Sequence, residues 1–217
     1  MTTGIEAVLW DFGGVFTQSP FHHLDDYASG LGSTTDDLVD LVLGYHLDDG
    51  DHPWHRLERG ELSLADAARD VTQLAADAGI EGFDLQAFFA TMGGIDGGVH
   101  REAMFAVVEQ VRASGRRNAV LSNNIVEFSS RWRALLPDGL FDDVVDSSEV
   151  GFRKPDPAIF ALALERLGGL SPDQAVFLDD HPGNVAAATE IGITALLVGE
   201  NPLDAAAALL ELLGVTP

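Results

Sequence analysis

The chain has 217 residues, 46% of them hydrophobic and 22% charged, a balance typical of a globular protein with one sizeable core or a core and a smaller appendage. Its 35 acidic residues against 12 basic ones give a net charge of −23, and such a surface should repel nucleic acid and anionic membranes. The absence of cysteine excludes disulfides and thiolate chemistry; without a leader-like N-terminus or a long apolar run, we expect a cytoplasmic protein.

The first predicted strand, VLW at residues 8–10, runs straight into Asp11 and then, after Phe12, into a pair of glycines. From residue 17 to residue 96 the apolar positions follow helical spacing, and no strand pattern separates the predicted helices. We therefore predict a helical domain over 17–96 that interrupts a discontinuous core domain. That core domain would comprise residues 1–16 and 97–217.

The second half of the chain alternates amphipathic helices with short apolar strands. Predicted helices cover residues 101–114, 155–167, 183–191 and 202–213, and predicted strands cover 119–121, 143–146, 175–178 and 193–198. Strands that alternate with helices indicate an α/β fold, with a parallel sheet and helices on both of its faces.

Several reactive or polar side chains stand where the predicted strands end or in a loop between them. They are Asp11, Ser122, Asn123, Asp179 and Asp180 after strands, and Lys154 in the loop RKP. Each alone has an ordinary explanation as a turn, a helix cap or a solvated charge. Because ligands bind at the carboxyl ends of parallel strands, we expect these side chains to form one site.

The chemistry of this set fits phosphoryl transfer. Three carboxylates that converge repel one another unless a cation lies between them, and oxygen ligands of this kind suit Mg²⁺. Asp11 would be free to attack phosphorus as a covalent nucleophile. Ser122 would donate a hydrogen bond to a phosphoryl oxygen, and the cation together with Lys154 would offset charge on the transferring group.

Four stretches carry a family resemblance: VLWDFGGVF, VLSNN, GFRKPDPAIF and VFLDDHPGNVAAA, in that order along the chain. They resemble the four motifs of the haloacid dehalogenase superfamily of phosphohydrolases, and the helical insertion lies where that family carries its cap. The resemblance implies a Rossmann-like core under a helical cap. It also implies Mg²⁺ as the cofactor and a small phosphorylated metabolite as the substrate.

The resemblance also implies a role for each matching residue. Asp11 would be the nucleophile that becomes phosphorylated, and Ser122 with Asn123 would hold the phosphoryl group. Lys154 would bridge the nucleophile and the phosphate. The metal ligands would be Asp11, the backbone carbonyl of Gly13, Asp180 directly, and Asp179 directly or through water. Asn184 would orient this loop or cap the helix that follows it.

One residue departs from the family pattern. Family phosphatases usually carry a second aspartate two positions after the nucleophile as a general acid, and this chain has Gly13 there. Either the backbone at position 13 accepts a side chain, or it has a positive φ that requires glycine. A replacement acid could come from His22 or His23, which would otherwise be exposed at a helix start.

Three readings of this departure stay open: a phosphatase that obtains its acid elsewhere or prefers good leaving groups, a 2-haloacid dehalogenase, and a domain that binds a phosphorylated ligand or a partner without turnover. The retained Asp179 and Asp180 argue against the dehalogenase. We favour a phosphatase, with a sugar phosphate as the hypothetical substrate and Trp54 and His55 either lining the cap side of the pocket or buried in the cap. The sequence does not predict an oligomeric state.

Overall fold

The computed structural model describes residues 4–17, 24–45, 49–91 and 100–215. Within these ranges the strands are β1 (Ala7–Trp10), β2 (Arg117–Ser122), β3 (Asp143–Asp146), β4 (Ala175–Asp179) and β5 (Thr194–Leu197). The first five helices are α1 (Leu24–Gly30), α2 (Thr35–Leu43), α3 (Pro53–Glu58), α4 (Leu64–Asp77) and α5 (Leu85–Thr91). The other helices are α6 (Arg101–Ala113), α7 (Val126–Arg133), α8 (Ser147–Val150), α9 (Pro157–Arg166), α10 (Pro182–Glu190) and α11 (Pro202–Leu213).

The five strands form one parallel sheet in the order β3-β2-β1-β4-β5. The first strand of the chain therefore lies at the centre, where Leu9 is paired with Ala119 on one side and Phe177 on the other. This arrangement confirms the predicted α/β fold with a parallel sheet.

The two faces of the sheet bury separate apolar clusters because side chains alternate along each strand. Val8 and Trp10 belong to a cluster that includes residues of α6 and α11. Ala7 and Leu9 point to the opposite face, where they join residues of α9 and α10. Helices therefore cover both faces, as the alternating sequence pattern predicts.

Helix boundaries differ from the predicted ones where proline and capping side chains decide them. The helix predicted over 155–167 begins at Pro157, because the Asp156 side chain accepts a hydrogen bond from the Ala158 N–H and caps the first turn. The strand predicted over 175–178 continues through Asp179. The last helix has the predicted bounds, 202–213.

Helices α1 to α5 pack around an apolar cluster of their own. Leu38, Val71 and Phe88 are fully buried there, and Ile125, which precedes α7, joins them from the sheet side. The described part of 17–96 is thus helical, while the predicted domain limit at 96 and 97 lies outside the described residues. None of the described helices combines the length and apolarity needed to cross a bilayer.

Candidate active site

The carboxyl ends of β1 and β4 bring three acidic side chains together. Trp10 pairs with Leu178, so Asp11 follows β1 beside Asp179 at the end of β4, and Asp180 comes next in the chain. One carboxylate oxygen of each of the three residues lies within 4.8 Å of the others. Such a set of oxygen ligands could hold a metal ion.

Lys154 links two of these carboxylates. Its side chain is 1% exposed, and Nζ lies 2.8 Å from Asp11 Oδ1 and 2.6 Å from Asp179 Oδ2. The side chain of Asn123 holds the lysine backbone from both directions, donating to the Lys154 carbonyl at 2.9 Å and accepting from its N–H at 2.8 Å. The Asn123 amide is therefore engaged in positioning the lysine, a role that the sequence pattern did not predict.

Asp179 is fully buried and saturated with donors. Besides Lys154, its carboxylate accepts from the His181 N–H at 2.7 Å and from Asn184 Nδ2 at 3.1 and 3.2 Å. Asn184 thus orients this loop, which was one of the two roles considered for it. The capping role belongs to His181, whose Nδ1 accepts hydrogen bonds from the Gly183 and Asn184 N–H groups at the start of α10.

The two glycines after the first strand have different structural roles. Gly14 has a φ of +66°, and a Cβ built on it would lie 2.1 Å from Oδ2 and 2.7 Å from Cβ of Asp180. Gly13 does not adopt positive φ, and a Cβ there would meet only Asp11 Oδ2, at 3.9 Å. The conformational requirement considered for Gly13 therefore falls on Gly14, and Gly13 has room for a side chain.

The electrostatics of the site reflect burial and mutual repulsion. Burial raises the pKa of Asp11 to about 6; Lys154 lowers this pKa and Asp179 raises it. Burial also raises the pKa of Asp180 well above its usual value, and the charges of Asp11 and Asp179 add to the effect. Burial by itself lowers the pKa of Lys154, but the two carboxylates raise this pKa by more than burial lowers it. The pKa therefore lies above its usual value, and the lysine stays charged. Carboxyls that resist ionisation in this way favour a bound cation.

A cavity of about 740 Å³ adjoins the carboxylates, with Asp11, Gly13 and Ser122 on its sheet side. Trp54 lines its cap side and also packs in the helical cluster, so it has both of the locations considered for it. His55 is fully buried, with Nε2 3.0 Å from the Gly44 carbonyl, and it is not a lining residue. The proposed acids at positions 22 and 23 lie outside the described residues.

Two lining residues, Glu58 and Arg153, were not predicted to act together. Glu58 Oε2 accepts from Arg153 Nε at 2.7 Å across 95 residues of sequence. A contact between residues so far apart in sequence leaves no local sequence signal. The N-cap at His181 does have one, because Pro182 follows it at the first position of the helix.

The family model for haloacid dehalogenase-like hydrolases matches residues 5–192. A mouse protein, acyl-CoA dehydrogenase family member 10, is 31% identical over 209 residues, which are 96% of this chain and 19% of that protein. Glyceraldehyde 3-phosphate phosphatase from Methanothermobacter thermautotrophicus is 35% identical over 99 residues, covering 44% of this chain and 42% of that enzyme. The chain thus matches less than half the length of these two relatives.

Two solved structures share the fold. A dehalogenase has a TM-score of 0.65 at 16% identity, with full coverage of both chains. A haloacid dehalogenase family enzyme from Bacteroides thetaiotaomicron, solved with magnesium and inorganic phosphate, has a TM-score of 0.59 at 18% identity and covers 91% of this chain and 96% of its own. At these identities the likeness establishes the fold.

Proposed function

Because this chain belongs to the haloacid dehalogenase-like hydrolases, we propose that it is a magnesium-dependent phosphatase that acts through a phosphorylated Asp11. The observation that carries the proposal is the contact of Lys154 with both Asp11 and Asp179, next to Asp180. Lys154, together with a cation held by the carboxylates, would supply positive charge where a phosphoryl group approaches the nucleophile, on a protein whose net charge is −23.

Asp11 would act as the nucleophile in two balanced steps. With a pKa of about 6, its carboxylate is ionised at neutral pH and attacks phosphorus, while the bond from phosphorus to the alcohol oxygen breaks and the leaving alkoxide takes a proton from solvent water. Water then attacks the acyl phosphate, releases inorganic phosphate and restores Asp11. Ser122, which lines the cavity, would donate to a phosphoryl oxygen, and Lys154 would offset its charge.

The donor set suits Mg²⁺, with Asp11, Asp180 and the Gly13 carbonyl as ligands. When bound, the ion offsets negative charge on the phosphoryl group. Asp179 already accepts from Lys154, Asn184 and the His181 N–H, which favours an indirect role for it through water. A fold neighbour was solved with magnesium and inorganic phosphate, which supports magnesium as the ion.

The substrate would be a small phosphomonoester, with a sugar phosphate as our preferred class. A cavity of about 740 Å³ accommodates a metabolite, and Trp54 and Phe89 of the proposed cap, residues 17–96, line it. The relative that hydrolyses glyceraldehyde 3-phosphate supports a small phosphorylated substrate. Since Gly13 supplies no acid, phosphates with good leaving groups should react fastest.

The test is the release of inorganic phosphate from p-nitrophenyl phosphate and a panel of sugar phosphates, with Mg²⁺ and with EDTA. We expect turnover that requires the metal and is abolished by Asp11→Asn, and a phosphorylated protein that is trapped by acid quenching in the wild type alone. A folded, magnesium-binding protein that turns over none of these substrates would contradict the proposal. Release of halide from 2-haloacids, or phosphate binding without turnover, would identify the two other readings.

A further inference from the structure

A charged pair lines the cap side of the same cavity. Glu58, the last residue of α3, and Arg153, in the loop before α9, are each 8% exposed, and both side chains border the cavity. Their ion pair joins Glu58 Oε2 to Arg153 Nε at 2.7 Å. Arg153 immediately precedes Lys154, so the loop that supplies the catalytic cation also supplies this one.

Neighbouring side chains fix the pair and leave part of its bonding capacity open. Trp54 Nε1 donates to Glu58 Oε1 at 3.0 Å, and Arg153 Nη1 donates to Asp49 Oδ1 at 3.2 Å. A carboxylate accepts about four hydrogen bonds and a guanidinium donates five. Since each group uses two with these partners in the described part of the chain, acceptors and donors remain for a ligand.

The charge of the pair decides which ligand it suits. The two charges cancel, so the pair attracts neither anions nor cations as a whole. Glu58 would repel a second phosphate or a carboxylate on the substrate, and Arg153 would repel an ammonium group. A hydroxyl group both donates and accepts, and it can bond to the carboxylate and the guanidinium together. The adjacent lining residues Tyr45, Trp54 and Phe89 offer apolar faces for the carbon skeleton that carries such hydroxyls.

We propose that Glu58 and Arg153 form the subsite for the alcohol half of the substrate, and that they bind hydroxyl groups of a neutral polyol or sugar carried on a single phosphate. This inference rests on the proposed phosphatase function. It narrows the substrate to monophosphates whose leaving group is uncharged and hydroxylated.

The test compares two substrates of equal carbon number, ribitol 5-phosphate and n-pentyl phosphate, with p-nitrophenyl phosphate as the measure of basal activity. A site that bonds hydroxyls rejects the analogue without them, so the wild type should prefer the polyol in kcat/KM by about tenfold or more. Glu58→Gln keeps the side-chain shape and removes the charge. It should lower kcat/KM for the polyol by about 10- to 100-fold more than for the two other substrates.

Glu61→Gln is the matched control, because Glu61 also pairs with an arginine, Arg59, and is not a lining residue. It should leave the substrate preference as in the wild type. Equal turnover of both alkyl phosphates, an equal loss on all substrates in Glu58→Gln, or the same selective loss in Glu61→Gln would overturn the subsite.

A binding measurement distinguishes a failure of this inference from a failure of the proposed function. If the wild type releases no phosphate even from p-nitrophenyl phosphate, the phosphatase proposal fails. Calorimetry with ribitol 5-phosphate and n-pentyl phosphate then decides the subsite alone: tighter binding of the polyol that Glu58→Gln abolishes would support it, and equal binding would refute it.

Discussion

Gly14→Ala should damage both the fold and the proposed metal site, because Asp180 lies against the bare backbone of Gly14. The added Cβ would lie 2.1 Å from Asp180 Oδ2, and rotation of that side chain gives no relief because Asp180 Cβ is itself at 2.7 Å. The backbone must therefore move. An alanine at φ +66° adds conformational strain to this overlap. Together the two effects should cost about 2–5 kcal/mol of unfolding free energy.

For a chain of this length, the loss corresponds to a fall in Tm of roughly 4–20 °C. We would measure Tm by circular dichroism and Mg²⁺ affinity by calorimetry for the wild type, Gly14→Ala and Gly13→Ala. The last variant is the matched control, because its Cβ meets nothing closer than 3.9 Å and its backbone does not have positive φ. Gly13→Ala should keep both values. If Gly14→Ala keeps them too, the close approach of Asp180 to Gly14 does not exist in solution.

Four further predictions concern the same site. Lys154→Met leaves Asp11 and Asp179 buried without their shared cation, so the free energy of unfolding should fall by about 3–5 kcal/mol above pH 6. The loss should be smaller in acid, where Asp11 is protonated. Urea titrations in which the loss does not depend on pH would contradict this prediction. Because the pKa of Asp11 is raised to about 6, the metal-free protein should lose stability as the pH rises from about 4 to 6. Mg²⁺ should bind more tightly above that range with proton release, measured by calorimetry in buffers of different ionisation enthalpy. Gly13→Asp should raise kcat for alkyl phosphates by about 100-fold or more with little effect on p-nitrophenyl phosphate, whereas an unchanged alkyl rate at an unchanged Tm would show that the missing acid does not limit turnover.

The sheet and its reactive edge were predictable from local sequence. Each buried strand is an apolar run that stops abruptly at a polar side chain, as at Asp11 and Ser122, and parallel topology then brings those ends together. The long helices were predictable because two or more turns reveal their period, as in α11. Helix α3, with six residues, is too short for its apolar spacing to be distinguished from a loop.

Contacts between distant segments were not predictable from one sequence. The bonds of Asn123 to the Lys154 backbone span 31 residues, and the pair of Glu58 and Arg153 spans 95. Such pairs depend on how the helical layer packs against the sheet. The spacing of apolar residues along the sequence does not predict that packing. The same limit applies to Gly13 and Gly14, since only the packed structure distinguishes the glycine that Asp180 requires from the one with free space.

The central position of β1 in the sheet has a consequence for folding during synthesis on the ribosome. The strand that precedes Asp11 is synthesised well before its two neighbours, which begin at residues 117 and 175. The nascent chain must therefore hold an apolar strand unpaired on both sides until β2 has been made, which is a period of exposure to aggregation and to chaperones. For the same reason, Asp11 meets Lys154 and Asp179 only after the chain has been made through β4, so the candidate site cannot form on a shorter nascent chain.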